Sequence, residues 1–327
     1  MDGKPIYCSD TLLSTSIDQK NLSNRALSER KGLILGYWSM AMMFVCWPVR
    51  AKVHSHTSMK IPKFKLNFDH AAIVVAHPDD EILWFSSILK KVSKIVVCFL
   101  NVKSNPQWSE GRRRSLSEYP LKNIQNLGFD ESGVFNDRNW YDVEPAQCGI
   151  KIKNEDDAYT RYLKNFEMLQ KSLCSALEGC QDVFTHNPWG EYGHEEHVQV
   201  FKAVEVLQVK LGYNIWHSNY CSNKSIKLMT SLIADQNSSY FTLKTDAETE
   251  KIIEDIYKKN GCWTWYDDWE CFSEESFIKY GHVDQPYRYG HNFPINIINV
   301  DIPKRNKKTI RDRLVIKIKK YVRNKSS

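Results

Sequence analysis

Two short stretches of this chain concentrate the residue types that do chemistry. The first, Val74–Phe85, reads VVAHPDDEILWF: an apolar run meets His77, and Asp79, Asp80 and Glu81 follow at once. Three carboxylates within three residues repel one another and resist leaving bulk water, so solvent or a cation must offset their charge. The second, Thr185–Val198, reads THNPWGEYGHEEHV and sets His194 and His197 three apart at a helix start, on roughly one face. Alone, such a pair is usually surface or helix-cap chemistry. Combined with the first stretch, two histidines and one aspartate make a nitrogen–oxygen donor set that suits Zn2+ with a position left open for water. A leftover carboxylate beside the ligands then serves as the base that activates water.

Aspartate-rich turns after strands also hold Mg2+ in phosphotransfer and phosphohydrolase sites. Two histidines are poor partners for that ion, and no phosphate-cradling Gly-rich loop accompanies HPDDE.

AHPDDE followed much later by YGHEEH resembles the LmbE-like (PIG-L) de-N-acetylases, a family that includes the enzyme acting on N-acetylglucosaminyl-phosphatidylinositol and the mycothiol-pathway deacetylase. The resemblance runs from about Phe68 to Tyr213. It implies a Rossmann-like α/β fold and zinc-dependent hydrolysis of the N-acetyl group of an N-acetylated amino sugar, on a glycan or glycolipid precursor, releasing acetate. Residue by residue, it implies that His77, Asp80 and His197 are metal ligands and that Asp79 is the general base. His194 is implied to stabilise the oxyanion or to protonate the departing amine, and Tyr192 to polarise the amide carbonyl. Glu81 is left to orient the turn or a neighbour. Family members often carry Arg-x-x-Glu on the helix after the second strand; here Arg112, Arg113 and Arg114 precede Glu118 at a different spacing, and Arg114 is the expected substrate-binding residue. The non-enzymatic alternative is an inactive sugar-binding or membrane-scaffold protein on the same fold. Against it, every metal and base position of the two motifs is filled.

The elements that must position these residues follow from hydrophobic periodicity. Ala71–Ala76 and Lys94–Leu100 are continuous apolar runs, as expected of strands covered on both faces. Ile82–Val92 carries helical spacing, which puts HPDDE on a strand-to-helix turn. Arg114–Leu127 reads as a helix distorted by Pro120 and closed by Gly128. Tyr162, Phe166, Leu169, Leu173 and Leu177 line one face of a further helix. Asp182–His186 and Tyr213–His217 read as strands flanking a helix over Glu195–Leu211, and Glu248–Lys259 as a later helix. Strand and helix in alternation predict a mostly parallel sheet with helices on both faces, whose ligands gather at the carboxyl ends of strands. Beyond it, GCWTWYDDWECF (Gly261–Phe272) offers a sugar-stacking surface or ordinary packing at the sheet edge, with packing the favoured reading.

The chain has 327 residues and a net charge of +6, of which residues 301–327 supply +9 through 11 Lys/Arg against 2 Asp; the rest is therefore net −3. Nucleic-acid enzymes more often spread basic residues around the site, so no nucleic-acid partner is expected. The nine cysteines are scattered without a CxxC pair, which argues against a disulfide framework or a thiolate zinc site and for a reducing compartment. Four regions result: a polar segment 1–31, an uncharged segment 32–49, a catalytic domain 67–300 and a basic tail 301–327. The uncharged segment, about 27 Å long as a helix, is a candidate membrane anchor or a buried apolar helix. The tail reads as an amphipathic helix on anionic lipid or as a solvated tail. Cytoplasmic or membrane-associated localisation is the expectation.

Overall fold

The computed structural model describes residues 66–136, 140–233, 239–281 and 293–301. In chain order the elements are β1 (Ala71–Val75), α1 (Asp80–Phe85), β2 (Lys94–Asn101), α2 (Pro106–Ser117), β3 (Ile124–Asp130), β4 (Pro145–Ala146), β5 (Gly149–Ile150), α3 (Asp157–Ala176) and β6 (Asp182–Thr185). They continue with α4 (Glu195–Leu211), β7 (Asn214–Ser218), β8 (Tyr220–Ser222), α5 (Ile226–Leu232), β9 (Tyr240–Lys244), α6 (Ala247–Lys259), β10 (Glu274–Lys279) and β11 (Asn296–Ile298).

The main sheet runs β3-β2-β1-β6-β7-β10-β9. Its first five strands are parallel, while β10 pairs antiparallel with both β7 and β9. This is the mostly parallel α/β architecture that the alternation of elements predicts. Because successive side chains of a strand point to opposite faces, β1 feeds two cores at once. Ala71, Ile73 and Val75 pack with Ile82 and Phe85 of α1 and Ile253 and Tyr257 of α6. Ala72 and Val74 pack with Leu169 and Leu173 of α3 and with Val200 and Val204 of α4. Each Val, Leu, Ile or Phe side chain so withdrawn from water contributes about 1.5–3 kcal/mol. The sheet is held from both sides.

Topology places the site. The chain builds outward from β1 through β2 to β3, then returns with β6 on the other flank of β1. At such a reversal the loops leaving neighbouring strands diverge and open a crevice at the carboxyl ends. His77 follows β1 and His186 follows β6, so both motifs open into that crevice.

Two predicted elements differ. The helix expected over 82–92 stops at Phe85 and continues only as a 3-10 turn, Ser86–Ile88. The Glu275 carboxylate of β10 takes the amide N–H of Ser86 (3.1 Å) and Ser87 (2.9 Å), donors that a continuing helix would need. The helix expected over 114–127 is instead the end of α2, a turn and the first half of β3. Asn105 accepts the Trp108 amide N–H at 3.2 Å and Pro106 opens the helix, an N-terminal signature. Pro120 lacks an N–H and disfavours helical backbone before it, so the chain leaves the helix and enters the sheet. The apolar segment 32–49 and the tail beyond Asp301 lie outside the described residues. Among the described residues, no helix is long and apolar enough to cross a membrane.

Candidate metal centre and its cleft

Asp79 occupies the strained corner between β1 and α1. Its φ of 108° is rare for a residue with a side chain and costs about 1–3 kcal/mol. Glu81 supports the corner by accepting the Asp79 amide N–H at 3.0 Å, and the Asp79 carbonyl accepts the amides of Ile82 and Leu83. Glu81 is itself fixed by the hydroxyls of Tyr119 (3.1 Å) and Tyr257 (2.7 Å). The motif's third acid thus orients the turn. Asp80 is held by the His77 backbone N–H (2.7 Å) and by the indole N–H of buried Trp84 (3.0 Å).

The second motif arrives through a tight loop. Gly190 has φ +65°, and a Cβ there would lie 2.6 Å from the His194 carbonyl oxygen. The loop delivers His194 as the N-cap of α4, where its Nδ1 accepts the Glu196 amide N–H at 3.1 Å. One turn on, His197 is completely buried.

A chain of hydrogen bonds fixes which ring nitrogens are free. His186 Nε2 accepts the Ala76 amide N–H at 2.8 Å, so its proton sits on Nδ1, which donates to Glu191 at 3.0 Å. The same Glu191 oxygen takes His197 Nδ1 at 2.8 Å. His197 therefore presents a bare Nε2, which makes no hydrogen bond and lies 3.2 Å from Asp80 Oδ1. On the other side His77 Nε2 donates to Glu196 at 2.9 Å, leaving His77 Nδ1 3.2 Å from Asp80 Oδ2. Glu196 in turn accepts the amide and hydroxyl of Ser132, both at 2.6 Å. One carboxylate behind each imidazole is the arrangement that orients metal-binding histidines. Donor atoms of His77, Asp80 and His197 all lie within 4.8 Å of one another. Two neutral ring nitrogens and one carboxylate, with an orphaned buried nitrogen among them, fit a divalent ion of the zinc type.

The electrostatics point the same way. Burial disfavours charge on His77, yet the hydrogen bonds to Asp80 and Glu196 outweigh it and push the imidazole up to about 10. Burial would raise Asp80 too, but His197 and His77 hold its carboxyl well below the ordinary range. Burial and repulsion from Asp80 push Asp79 up to about 7. Burial, with His197 and His77 close by, lowers His194 well below an ordinary histidine. The pocket has a surplus of negative charge, held by a proton on His77 where a divalent cation would serve.

A cleft of about 470 Å3 opens over this cluster. His77, Asp79, Asp80, Tyr192 and His194 line it. Tyr192 stands edge-on to His197 (5.2 Å between ring centroids), and His194 stacks on His197 (4.7 Å). The structure therefore brings together every sequence-predicted site residue except one. Arg114 points away from the cleft, its guanidinium bonded to Asn260. Two residues apart on a helix is about 200°, so Arg112, not Arg114, faces the site, bonded to Glu131 at 2.6 Å. Lys224 also lines the cleft and joins it to Gly193 and Asn136 (2.6 and 2.8 Å). Sequence reasoning missed Glu191, Glu196, His186, Glu131, Lys224 and Thr264, and preferred Arg114 to Arg112.

The mostly parallel sheet thus gathers histidines and acids at its reversal point. The family model described as GlcNAc-PI de-N-acetylase (PIG-L) matches residues 72–207, the segment that holds both motifs. That segment is similar to de-N-acetylases of the LmbE type. An uncharacterized protein, L374, of Acanthamoeba polyphaga mimivirus is 24% identical over 178 residues, 49% of this chain and 67% of that protein. Among solved structures, the deacetylase of teicoplanin biosynthesis in complex with teicoplanin aligns at a TM-score of 0.43 and 10% identity, over 66% of this chain and 99% of that one. A zinc-inhibited form of teicoplanin deacetylase Orf2 aligns at 0.41 and 11%, over 65% and 99%.

Proposed function

We propose that this protein hydrolyses the N-acetyl group of an N-acetylated amino sugar with the help of a divalent metal ion, zinc by its donor set, releasing acetate. The observation that carries this reading is the convergence of His77, Asp80 and His197, with both imidazole tautomers fixed by buried glutamates, beside a further acid, Asp79, in a cleft. An ion held by these three residues supplies positive charge that acidifies water and polarises an amide oxygen.

The chain's own residues do the rest. Asp79, next to the ligand Asp80 and open to the cleft, takes the proton of the attacking water. Charge then develops on the amide oxygen. His194 accepts a backbone N–H through Nδ1, so its neutral ring carries the proton on Nε2, as a donor to that oxygen. The Tyr192 hydroxyl is the second donor. Asp79 returns its proton to the departing nitrogen, and acetate and a free amine leave. Arg112 and Lys224 give the cleft two cationic contacts for sugar oxygens. The uncharged segment 32–49 and the basic tail favour a lipid-linked or membrane-proximal glycan, with the catalytic domain in a reducing, cytoplasmic or membrane-associated setting.

Acetate release from N-acetylglucosamine glycosides, with and without chelator, tests the reaction. Asp79→Asn is expected to keep its metal and lose most turnover, whereas Asp80→Ala loses the metal too. Full zinc stoichiometry in Asp80→Ala, by elemental analysis, removes the ligand assignment.

A further inference from the structure

The segment Gly261–Phe272 lies beyond the family-matched residues 72–207, yet it forms part of the cleft. Thr264, Trp265 and Tyr266 all line it. The Thr264 hydroxyl donates to Asp79 Oδ2 at 2.6 Å, across 185 positions of sequence. Among the described residues this is the one hydrogen bond that the Asp79 carboxylate accepts. We infer that Thr264 is a positioning residue for the base, supplied by a cleft wall outside the family-matched residues; the inference rests on the role proposed for Asp79.

Three physical points support it. First, the terminal torsion of an aspartate is soft and broad, so Asp79 has no intrinsic preference for a productive orientation. Backbone strain at φ 108° fixes where the side chain starts, not how its oxygens turn. Second, Asp80 is adjacent and negative, and unopposed repulsion would swing Asp79 away from the cluster. A hydroxyl proton on Oδ2 opposes that swing and leaves Oδ1 to act on water. Third, the wall that holds Thr264 is anchored on several sides. Trp265 packs edge-on against Trp84 (5.4 Å) and Tyr192 (4.8 Å). Cys262 is buried, with its amide bonded to the Tyr257 carbonyl. The Trp269 indole N–H donates to Glu250 at 3.0 Å, and the Tyr266 hydroxyl accepts the Asp301 amide. A hydroxyl on such a scaffold keeps its direction. A threonine on a loose rim would not.

The test uses Thr264→Val, which keeps shape and removes the donor, and Thr264→Ser, which restores it. Crystal structures of both are compared with wild type, and acetate release is followed with p-nitrophenyl N-acetyl-β-D-glucosaminide as probe. The expected results are a turned Asp79 carboxylate in Thr264→Val and wild-type geometry in Thr264→Ser. In turnover, kcat falls roughly 10- to 100-fold in Thr264→Val with KM within about twofold, and Thr264→Ser recovers most of it. An Asp79 carboxylate unmoved in Thr264→Val, or equal kcat in wild type and Thr264→Val, overturns the inference. If wild type releases no acetate, the deacetylase reading fails for this probe, while the crystallographic comparison still decides what Thr264 does.

Discussion

Glu191 is the residue on which the second motif turns, and Glu191→Gln is the most informative single change. The wild-type carboxylate is wholly buried and accepts from His186 Nδ1, His197 Nδ1, the Asn187 amide and the Ser218 hydroxyl. Burial alone would raise its pKa, but the two imidazoles more than reverse this and hold it at about 2, against 4.5 for an ordinary glutamate. At about 1.4 kcal/mol per tenfold change in proton affinity, ionised Glu191 contributes about 3 kcal/mol to folding. The unfolded chain takes up this proton at about 4.5 and the folded chain only at about 2. The contribution is therefore complete above pH 4.5 and lost as pH falls toward 2. Glutamine removes the charge and turns an NH2 group toward an imidazole N–H. Urea unfolding in the presence of chelator should show a loss of about 3 kcal/mol at pH 7, with the gap to wild type narrowing as pH drops from 5 to 3. Zinc affinity, measured by competition, should fall about 10- to 100-fold because His197 loses the partner that sets its tautomer. Equal unfolding midpoints at pH 7 together with equal zinc affinity would refute the reasoning.

Gly190→Ala forces a Cβ to 2.6 Å from the His194 carbonyl at φ +65° and should lower stability by about 1–3 kcal/mol and displace the histidine pair. Gly179→Ala, at φ +80° with nothing within 4 Å, isolates the backbone cost alone, and thermal unfolding of the two should differ. Glu250, buried beneath Trp269, is raised to about 7 by burial, so wild-type stability should decline as pH rises from about 4.5 to 7. In Glu250→Gln that decline should be shallower, as read from denaturation midpoints across the range.

Much of the site was legible because its chemistry is local. HPDDE and GHEEH each carry their own strand end or helix start, and α3 declares itself by five apolar residues on one stripe. The helix-to-strand error at 114–127 had a specific cost. With β3 read as a strand ending at Asp130, Glu131 would have stood at a carboxyl end beside the other two motifs and entered as a candidate. Arg114 was preferred to Arg112 because a run of three arginines gives no phase until the helix start at Pro106 is known. Glu191 and Glu196 offered a faint signal as acids flanking histidines. Thr264 offered none: its partner lies 185 positions away, and only the sheet's return path brings them together.

The broken end of α1 has a bearing on how the protein is made. Ser86 and Ser87 find their acceptor in Glu275, on a strand that leaves the ribosome almost two hundred residues later. Until β10 docks, the Ser86 and Ser87 amides lack the Glu275 carboxylate and bond water instead. The support at the end of α1 is thus completed by a strand synthesised after both motifs, and a nascent chain holding both motifs does not yet hold that support.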